Sequence, residues 1–450
     1  MSLPWRFASV DDYVDNTIIK LQSGSPAFKA LNIGRFYLNG SDLESHHIVL
    51  LLQHAKDNGY LDEISIHGIT FDEHTASALL SLVGTRPRKW SKVSFHFCRG
   101  QGLRILSAPV LIEWIRIKNC SMGIQDYKAL GLNLQLNNML TKLELFEEDL
   151  RGPEIGQALE DGLAITLSLQ TLEFSYCILD EGAVQSLAKG LSMNQSLTTF
   201  QCPGCELEDA EMAVLANSLS THPELRHLKI FRNHCGEQGA SAIASMLAIE
   251  QRTNHQHHHQ LASLDLSYQQ FERAKRLDIG LLASSLGGNT KLKELSLSFN
   301  KLNDDDVELL AMGLRDNRFL TKLDLRANNI RDKGAIAIAE HLLPHSALRQ
   351  LYLFGNPFRK EGSESLWKAI QNNFVMEVLN MDYNSSMYDS IQFYTYLNQA
   401  GRRILHLDSF NVALWPLVLE RGKSISARSH AICTHADIIF HLLQVPALHR

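Results

Sequence analysis

A short apolar pattern recurs four times at a fixed spacing in residues 292–384. Its first copy reads L-x-x-L-x-L-x-x-N, and each later copy begins 28 residues after the one before it. The four copies contain Leu292, Leu295, Leu297 and Asn300; Leu320, Leu323, Leu325 and Asn328; Leu348, Leu351, Leu353 and Asn356; and Met376, Leu379, Met381 and Asn384. Self-similarity at one fixed period is typical of a solenoid, in which similar units stack along one axis.

The second copy shows how one unit folds. Leu323 and Leu325 alternate with polar residues, which predicts a short strand that buries one face and places Asp324 and Arg326 on the other. Residues 335–342 then carry apolar side chains at the spacing of an amphipathic helix. Since one strand and one helix cannot bury both apolar faces, neighbouring units must stack, with parallel strands inside an arc and helices outside.

Alignment of the whole chain on this pattern predicts about thirteen units in residues 28–384. We expect Asn328 and its equivalents to bond backbone groups in the turn after each strand. Residues 1–27 are predicted to form an amino-terminal cap, and residues 385–450 a helical carboxy-terminal cap. The predicted units begin at Phe28, Leu61, Trp90, Ile112, Leu140, Leu169, Leu197, Leu225, Leu261, Leu292, Leu320, Leu348 and Met376.

The units that begin at Trp90 and Leu225 depart most from the common length. The unit that begins at Trp90 has only 22 residues, which leaves too little chain for a full helix. The unit that begins at Leu225 carries an insertion, residues 250–260, that we expect to be a surface loop. Imidazole ligation of a transition metal is the alternative hypothesis for this loop. The loop contains His255, His257, His258 and His259.

Units of 28 or 29 residues with the pattern L-x-x-L-x-L-x-x-N-x-I-x-x-x-G-A resemble the ribonuclease-inhibitor type of leucine-rich repeat. The resemblance covers most of the chain. It implies an α/β leucine-rich repeat solenoid shaped as a horseshoe, with parallel strands on the concave face and helices on the convex face. It also implies a non-enzymatic scaffold that binds a protein partner in its concave groove.

The charge and hydropathy of the chain restrict its partners. The 450 residues include 43 basic and 49 acidic residues, a net charge of −6 that gives no general reason to expect nucleic acid. No apolar run has the length of a signal peptide or a membrane-spanning helix. We therefore expect a monomeric cytoplasmic protein that binds no membrane, with a nuclear location as the alternative.

The cysteines fall in positions that the repeat predicts to be buried. Four of the seven, Cys98, Cys120, Cys177 and Cys205, align with Asn300 and Asn328. Cys202 and Cys235 align with other apolar positions. This placement predicts reduced core thiols rather than disulfides. The C-x-x-C motif of Cys202 and Cys205 would otherwise suggest a redox pair or half a zinc site.

We expect neither a catalytic site, a metal site nor a cofactor, because the sequence lacks the phosphate-loop, zinc-protease and serine-hydrolase motifs. The run Asp304, Asp305 and Asp306 lacks the later ligands of a calcium loop. It is better explained by capping of the helix that follows.

Aromatic residues recur at strand positions that are predicted to face the groove. A row of such residues is typical of a protein-binding surface. Arg232 and Arg326 are predicted to orient the partner beside them. The alternative is that the rings stack on one another only to stiffen the strands. The aromatic residues of the row are Phe146, Tyr176, Phe231, Tyr268, Phe299, Tyr352, Phe354 and Tyr383. The residues predicted to bind the partner, including the two arginines, are Phe231, Arg232, Tyr268, Phe299, Arg326, Tyr352, Phe354 and Tyr383.

Two other functions share this type of repeat. GTPase activators of the Ran-directed kind use an arginine or asparagine on a loop after a strand, and Arg99, Arg151 and Arg331 are predicted to lie on such loops. The long acidic tail of those proteins has no counterpart in this sequence. A sensor module of a larger receptor is the third hypothesis, although the sequence contains no nucleotide-binding domain.

Overall fold

The computed structural model describes residues 9–34, 43–84, 89–100, 103, 106, 111–248, 260–269, 277–344, 347–383 and 385–402. The chain divides into two compact units, an amino-terminal part, Met1–Ile230, and a carboxy-terminal part, Phe231–Arg450. The predicted histidine loop, Asn384 and the cap beyond residue 402 lie outside the described residues.

Thirteen parallel strands begin two residues after the thirteen predicted unit starts. The α/β repeat fold and the period of its units are thereby confirmed. The amino-terminal part contains β1 (Ala30–Gly34), β2 (Glu63–His67), β3 (Thr70–Phe71), β4 (Lys92–His96), β5 (Arg99–Gly100), β6 (Trp114–Lys118), β7 (Lys142–Phe146), β8 (Thr171–Ser175), β9 (Thr199–Gln201) and β10 (His227–Lys229), with β3 and β5 forming a separate pair. The carboxy-terminal part contains β11 (Ser263–Asp265), β12 (Glu294–Ser296), β13 (Lys322–Asp324), β14 (Gln350–Tyr352) and β15 (Val378–Asn380).

One helix follows most strands. The amino-terminal part contains α1 (Val10–Gln22), α2 (Ser45–Asp57), α3 (Glu73–Gly84), α4 (Ile124–Leu136), α5 (Pro153–Ile165), α6 (Glu181–Met193) and α7 (Asp209–Leu219). The carboxy-terminal part contains α8 (Glu237–Ala248), α9 (Ile279–Gly287), α10 (Asp304–Leu314), α11 (Asp332–Ala337), α12 (Lys360–Asn372) and α13 (Tyr388–Gln399), and α11 continues as a π-helical turn, Ile338–Leu342. As predicted for the short unit, the described residues between β4 and β6 contain no α-helix. None of the described helices is long and apolar enough to cross a bilayer.

The core consists of apolar columns that run from unit to unit. Leu323 pairs with Leu295 on one side and Leu351 on the other, and all three are buried. Helix α10 adds Val307 and Leu314 to the same core. Its amino terminus is capped by Asn303 and Asp306, whose side chains accept each other's backbone N–H. The predicted capping of this helix is thus confirmed.

The predicted role of Asn328 is also confirmed. Its Nδ2 donates to the carbonyl of Leu297 (3.1 Å) in the preceding unit and to that of Leu325 (2.9 Å) in its own. Its Oδ1 accepts the N–H of Asn300 (2.9 Å) and of Leu302 (3.1 Å). The buried amide therefore satisfies backbone groups of two units at the end of the strand.

A second set of asparagines performs the same task at the opposite turn, and the sequence reasoning missed it. Each lies three residues before a unit start, so recurrence at that offset was the available signal. In Asn317, Nδ2 donates to the carbonyl of Leu286 (2.6 Å), while Oδ1 accepts the N–H of Leu320 (2.8 Å). The set consists of Asn58, Asn137, Asn194, Asn289, Asn317 and Asn373.

Helices also lie at both predicted caps. In α1, Tyr13 donates its hydroxyl proton to the carbonyl of Asn32 (2.5 Å) and is buried, whereas Ile19 is exposed. In α13, Asn398 donates to the carbonyls of Asn373 (2.9 Å) and Met376 (2.8 Å). Because the second asparagine set makes the same kind of bond, α13 takes the helix position of the thirteenth unit.

Leu323→Ala is expected to lower the free energy of unfolding by about 2–5 kcal/mol, because it removes a fully buried side chain and leaves a cavity. Lys322→Ala is the control, since this side chain is 39% exposed and its only described ion pair is a surface contact with Glu294. Chemical denaturation of both variants measures the difference. Equal losses at the two positions would contradict the assignment of inner and outer faces.

Asn317→Ala is expected to lower the free energy of unfolding by about 2 kcal/mol or more, because it leaves several buried backbone groups without a partner. Asn329→Ala, at an exposed side chain, should change stability little. Thermal melts of the two variants provide the comparison. If Asn317→Ala melts like the parent, the second asparagine set does not stabilise the turns.

Candidate functional site

All eight residues predicted to bind a partner lie in the carboxy-terminal part, at the fourth, sixth or seventh residue after a unit start. Tyr352 has the fourth position. Phe231, Arg326 and Phe354 have the sixth. The remaining residues, at the seventh, are Arg232, Tyr268, Phe299 and Tyr383.

The seventh position has a left-handed backbone in each of the eleven units that start at Leu61 to Leu348. In Tyr268, φ is 58°, and its N–H donates to the carbonyl of Ser298 (2.9 Å) in the next unit. In Phe299, φ is 59°, and its N–H donates to the carbonyl of Arg326 (2.9 Å). The left-handed residue thus extends the strand ladder by one bond before the chain turns inward.

Glycine and asparagine adopt this conformation at low cost, and four of the eleven units have them there, as Gly68, Asn119, Gly204 and Gly355. A bulky aromatic residue pays about 1–2 kcal/mol for it. Tyr268 and Phe299 nevertheless occupy the position in two consecutive units, and Phe97 and Tyr176 occupy it in two separate units of the amino-terminal part. The shared offset of glycine and asparagine was the only sequence signal for this strain.

Tyr268 and Phe299 form a stacked pair. Their ring centroids are 4.1 Å apart and their planes differ by 12°. Each side chain remains 42% exposed. The repeat therefore presents a double aromatic surface on adjacent strands, with one edge of each ring available to a partner.

A second aromatic group lies at the end of the described sheet. The ring centroid of Tyr383 is 6.0 Å from that of Phe354 and 5.9 Å from that of Tyr388 on α13. Tyr383 is 73% exposed and Phe354 is 39% exposed. The sequence reasoning missed Tyr388, because it lies on a helix outside the repeated pattern.

Arg326 is held between an acid and a ring. Its guanidinium donates to both carboxylate oxygens of Asp324 (2.9 and 3.0 Å from Nε), which raises the pKa of Arg326, and it lies 5.4 Å from the ring centroid of Tyr352. Asp324 alternates with the buried leucines as predicted, but Arg326 covers it and leaves it 5% exposed. Arg326 itself keeps about half of its side chain exposed.

The predicted row is therefore resolved into three described groups, Tyr268 with Phe299, Arg326 with Tyr352, and Phe354 with Tyr383 and Tyr388. Phe231 is half-buried and Arg232 is exposed at the first unit of the carboxy-terminal part. Side chains at the fourth, sixth and seventh positions leave the strand at different heights. The side chains nevertheless meet in groups, and two of these groups combine different positions.

A cavity of about 840 Å³ lies beside the second aromatic group. It is formed by the loops that follow β13 to β15 and by the amino-terminal turn of α12. Asp382 accepts the N–H of Gly355 (3.2 Å) in its wall. The lining also includes Asn328, Asn329, Asn356, Pro357, Phe358, Arg359, Lys360, Ser363, Ser385 and Ser386.

The three arginines of the GTPase-activator hypothesis have different surroundings. Arg99 is exposed but lies in β5 rather than on a loop. Arg151 is bound to its neighbour Asp149, with Nε 2.9 Å from Oδ1. Arg331 precedes α11, and its N–H donates to Asp304 (2.7 Å).

The cysteines that align with the asparagine position are buried, as predicted, and the six described cysteines are free thiols. Cys205 donates its thiol proton to the carbonyl of Phe174 (3.1 Å) in the preceding unit, the contact that Asn328 makes with Leu297. Cys202 is buried completely. Within the described ranges, no group of three or more histidine, cysteine or acidic side chains is arranged to hold a metal ion.

Glu148 occupies, in its own unit, the position that Asn328 and Cys205 occupy in theirs. It is 2% exposed, and its carboxyl group accepts the N–H of Cys120 (2.6 Å). Burial raises the pKa of Glu148 to about 8, although this hydrogen bond opposes the shift. The side chain is thus protonated at neutral pH and can act, like the asparagine amide, as both donor and acceptor.

Glu148→Gln is expected to become increasingly stabilising, relative to the parent, as pH rises from about 4.5 to about 8. The folded parent retains a proton that the unfolded chain releases in this window, so its stability falls with pH, by at most about 1.4 kcal/mol per unit. Denaturation at several pH values measures the effect. Glu147→Gln is the control, since the pKa of this exposed neighbour is lowered by Asn119 and Lys118. A pH-independent difference for Glu148→Gln would contradict a buried neutral carboxyl group.

Comparisons with known proteins agree with the repeat pattern. The family model of the leucine rich repeat matches residues 288–311 and 316–339. Among solved structures, the chain is similar to leiomodin-1 actin-binding site 2, with 17% identity, coverage of 31% of this chain and 84% of that chain, and a TM-score of 0.28. No curated protein matches the sequence significantly.

The matched segments fall on two of the thirteen strand units, and the other units repeat the same buried columns. The chain therefore has the α/β architecture of a leucine-rich repeat solenoid.

Proposed function

We propose that this chain is a non-enzymatic scaffold that holds a protein partner against the strand face of its carboxy-terminal part. Leucine-rich repeats are typical of protein-interaction scaffolds, and the matched repeats lie in this part of the chain. We also assign the repeats to the ribonuclease-inhibitor type, because the regular units have 28 or 29 residues and a full helix.

The observation that carries the proposal is the stacked pair of Tyr268 and Phe299. Both residues keep a strained backbone at a position where glycine would be free of strain, and both leave 42% of the side chain exposed. Rigid aromatic rings provide large contact areas at low entropic cost, so a few of them often supply about 2 kcal/mol or more each to an interface. A binding role explains why the strain is retained.

The charges beside the rings support the same role. Arg326 is fixed by Asp324 and lies over Tyr352, so its exposed edge is oriented before a partner arrives. Preorganised charge favours the on-rate and the register of binding more than affinity itself. The cavity beside Phe354 and Tyr383 offers space for a partner side chain at the end of this surface.

Tyr268→Ala or Tyr352→Ala is expected to weaken capture of the partner about tenfold or more, with little change in melting temperature. Affinity purification with the intact chain, quantified by mass spectrometry, identifies the proteins whose capture depends on these rings. Tyr60→Ala, at an exposed tyrosine in a turn of the amino-terminal part, is the control. Unchanged capture by a Tyr268→Ala, Phe299→Ala, Tyr352→Ala triple variant would refute the proposal.

Glycine at the strained positions separates binding from stiffening. Tyr268→Gly relieves the left-handed strain, so the melting temperature should stay level or rise while capture is lost. If the rings serve only to stiffen the strands, this variant should instead melt earlier and bind normally.

Arg99→Ala, Arg151→Ala and Arg331→Ala should leave capture intact; loss of a measured stimulation of GTP hydrolysis in one of them would favour an activator instead.

A further inference from the structure

The strand face of the amino-terminal part differs in charge from the aromatic surface described above. Strands β4, β6 and β7 carry four basic residues and one tryptophan at outward positions, and we call this set the basic face. It consists of Lys92, Trp114, Arg116, Lys118 and Lys142. The units that contain β4 and β6 have no carboxylate at the second, fourth, sixth or seventh residue after the unit start.

Trp114 lies between two lysines. The Nζ atoms of Lys92 and Lys142, on the strands at either side, are 4.0 and 4.4 Å from its ring centroid. Arg116 lies 4.7 Å from the ring centroid of Phe146 in the same manner. The cationic groups are therefore supported by aromatic faces, which hold their long side chains along the sheet.

The main counter-charge of the basic face is buried beneath it. Glu144 has a side chain that is 4% exposed; it accepts the indole N–H of Trp114 (3.0 Å) and forms ion pairs with Lys142 (2.7 Å) and Arg116 (3.0 Å). Arg116 and Lys142 keep about a third of their side chains exposed. The layer that meets solvent is consequently cationic, although the cluster below it is partly neutralised.

Lys92 is the cation with the least compensation. The structure describes no ion pair for it, and its pKa is lowered by burial and by the nearby charge of Arg116. An incoming carboxylate would relieve that repulsion. The rings of His67 and His96 stack on each other, with their centroids 4.4 Å apart. Burial lowers the pKa of His96 to about 4, so these rings add a flat surface without charge at neutral pH.

Carboxylates mark the rims of the basic face. Glu63 lies on β2 at one side, and Glu147, which pairs with Lys118 (3.2 Å), follows β7 at the other. Between these rims the face spans about three strand spacings, or roughly 14 Å, which matches about four residues of extended polypeptide. A longer nucleic-acid backbone that crossed the strands would meet both glutamates.

We propose that the basic face is a docking surface for a short acidic stretch of polypeptide, whose carboxylates pair with Lys92 and Lys118 and whose backbone passes over Trp114. The surface lies in the amino-terminal part and is independent of the aromatic groups proposed above to hold the main partner.

The test uses the intact chain and a fluorescein-labelled oligoglutamate peptide, with an oligoglutamine peptide of equal length as the neutral probe. Fluorescence anisotropy at low salt should show binding of the glutamate peptide alone, weakened by added salt. A Lys92→Gln, Lys118→Gln double variant should bind at least about tenfold more weakly. A Lys92→Arg, Lys118→Arg variant should retain binding, because it keeps both charges.

A matched control removes two lysines from helices α2 and α4, as Lys56→Gln with Lys128→Gln, and should bind like the parent. Equal weakening in this control, no binding by the parent, or unchanged binding in the Lys92, Lys118 double variant would overturn the proposal. An oligothymidylate of the same length that bound more tightly than the glutamate peptide, and that lost binding in the double variant, would show that the ligand is nucleic acid rather than polypeptide. The Tyr268→Gly variant should still bind the glutamate peptide. The docking proposal and the scaffold proposal for the carboxy-terminal part can therefore fail separately.

Discussion

Each repeat depends on hydrogen bonds that only its neighbours can complete. A strand that ends in a turn leaves buried N–H and carbonyl groups without partners, and unpaired groups of this kind are costly. Asn328 supplies amide bonds to the unit before it at the end of the strand, and Asn317 does so at the end of the helix. The apolar columns then fill the space between these two lines of amides. The stability of one unit is therefore inseparable from the presence of the next.

The sequence predicts this framework well because the framework is periodic. The spacing of Leu320, Leu323 and Leu325 identifies the strand, its buried face and its start, and the same spacing locates twelve further strands. Asn328 was predicted correctly because it belongs to the same pattern. Asn317 was missed, since it falls between the leucine pattern of one unit and that of the next. Its recurrence at a fixed offset shows that the signal was present but lay outside the motif.

The surface is less predictable, because it depends on which neighbouring side chain covers which. Asp324 alternates correctly with Leu323 and Leu325, yet it is buried under Arg326. Glu144 is buried in the same way under Arg116. Periodicity decides the face of the strand from which a side chain leaves, but a flexible arginine decides whether that side chain reaches water. The left-handed seventh position likewise follows from a turn that any residue type can be forced to adopt, so composition alone does not reveal it.

The eighth residue after each unit start shows how the repeat tolerates chemical change while its geometry is kept. Asn328 offers two donor protons and an acceptor oxygen to its neighbours, whereas Cys205 offers one weak donor proton and Glu148 offers a carboxyl group that must stay protonated. All three contact the units beside them from the same place in the turn. At this position the carboxy-terminal part is joined by amides that do not titrate, while units of the amino-terminal part use cysteine thiols or the buried carboxyl group of Glu148. Phe97 and Tyr176 keep the same left-handed seventh position beside Cys98 and Cys177, so the turn holds a strained ring whether an amide or a thiol follows it.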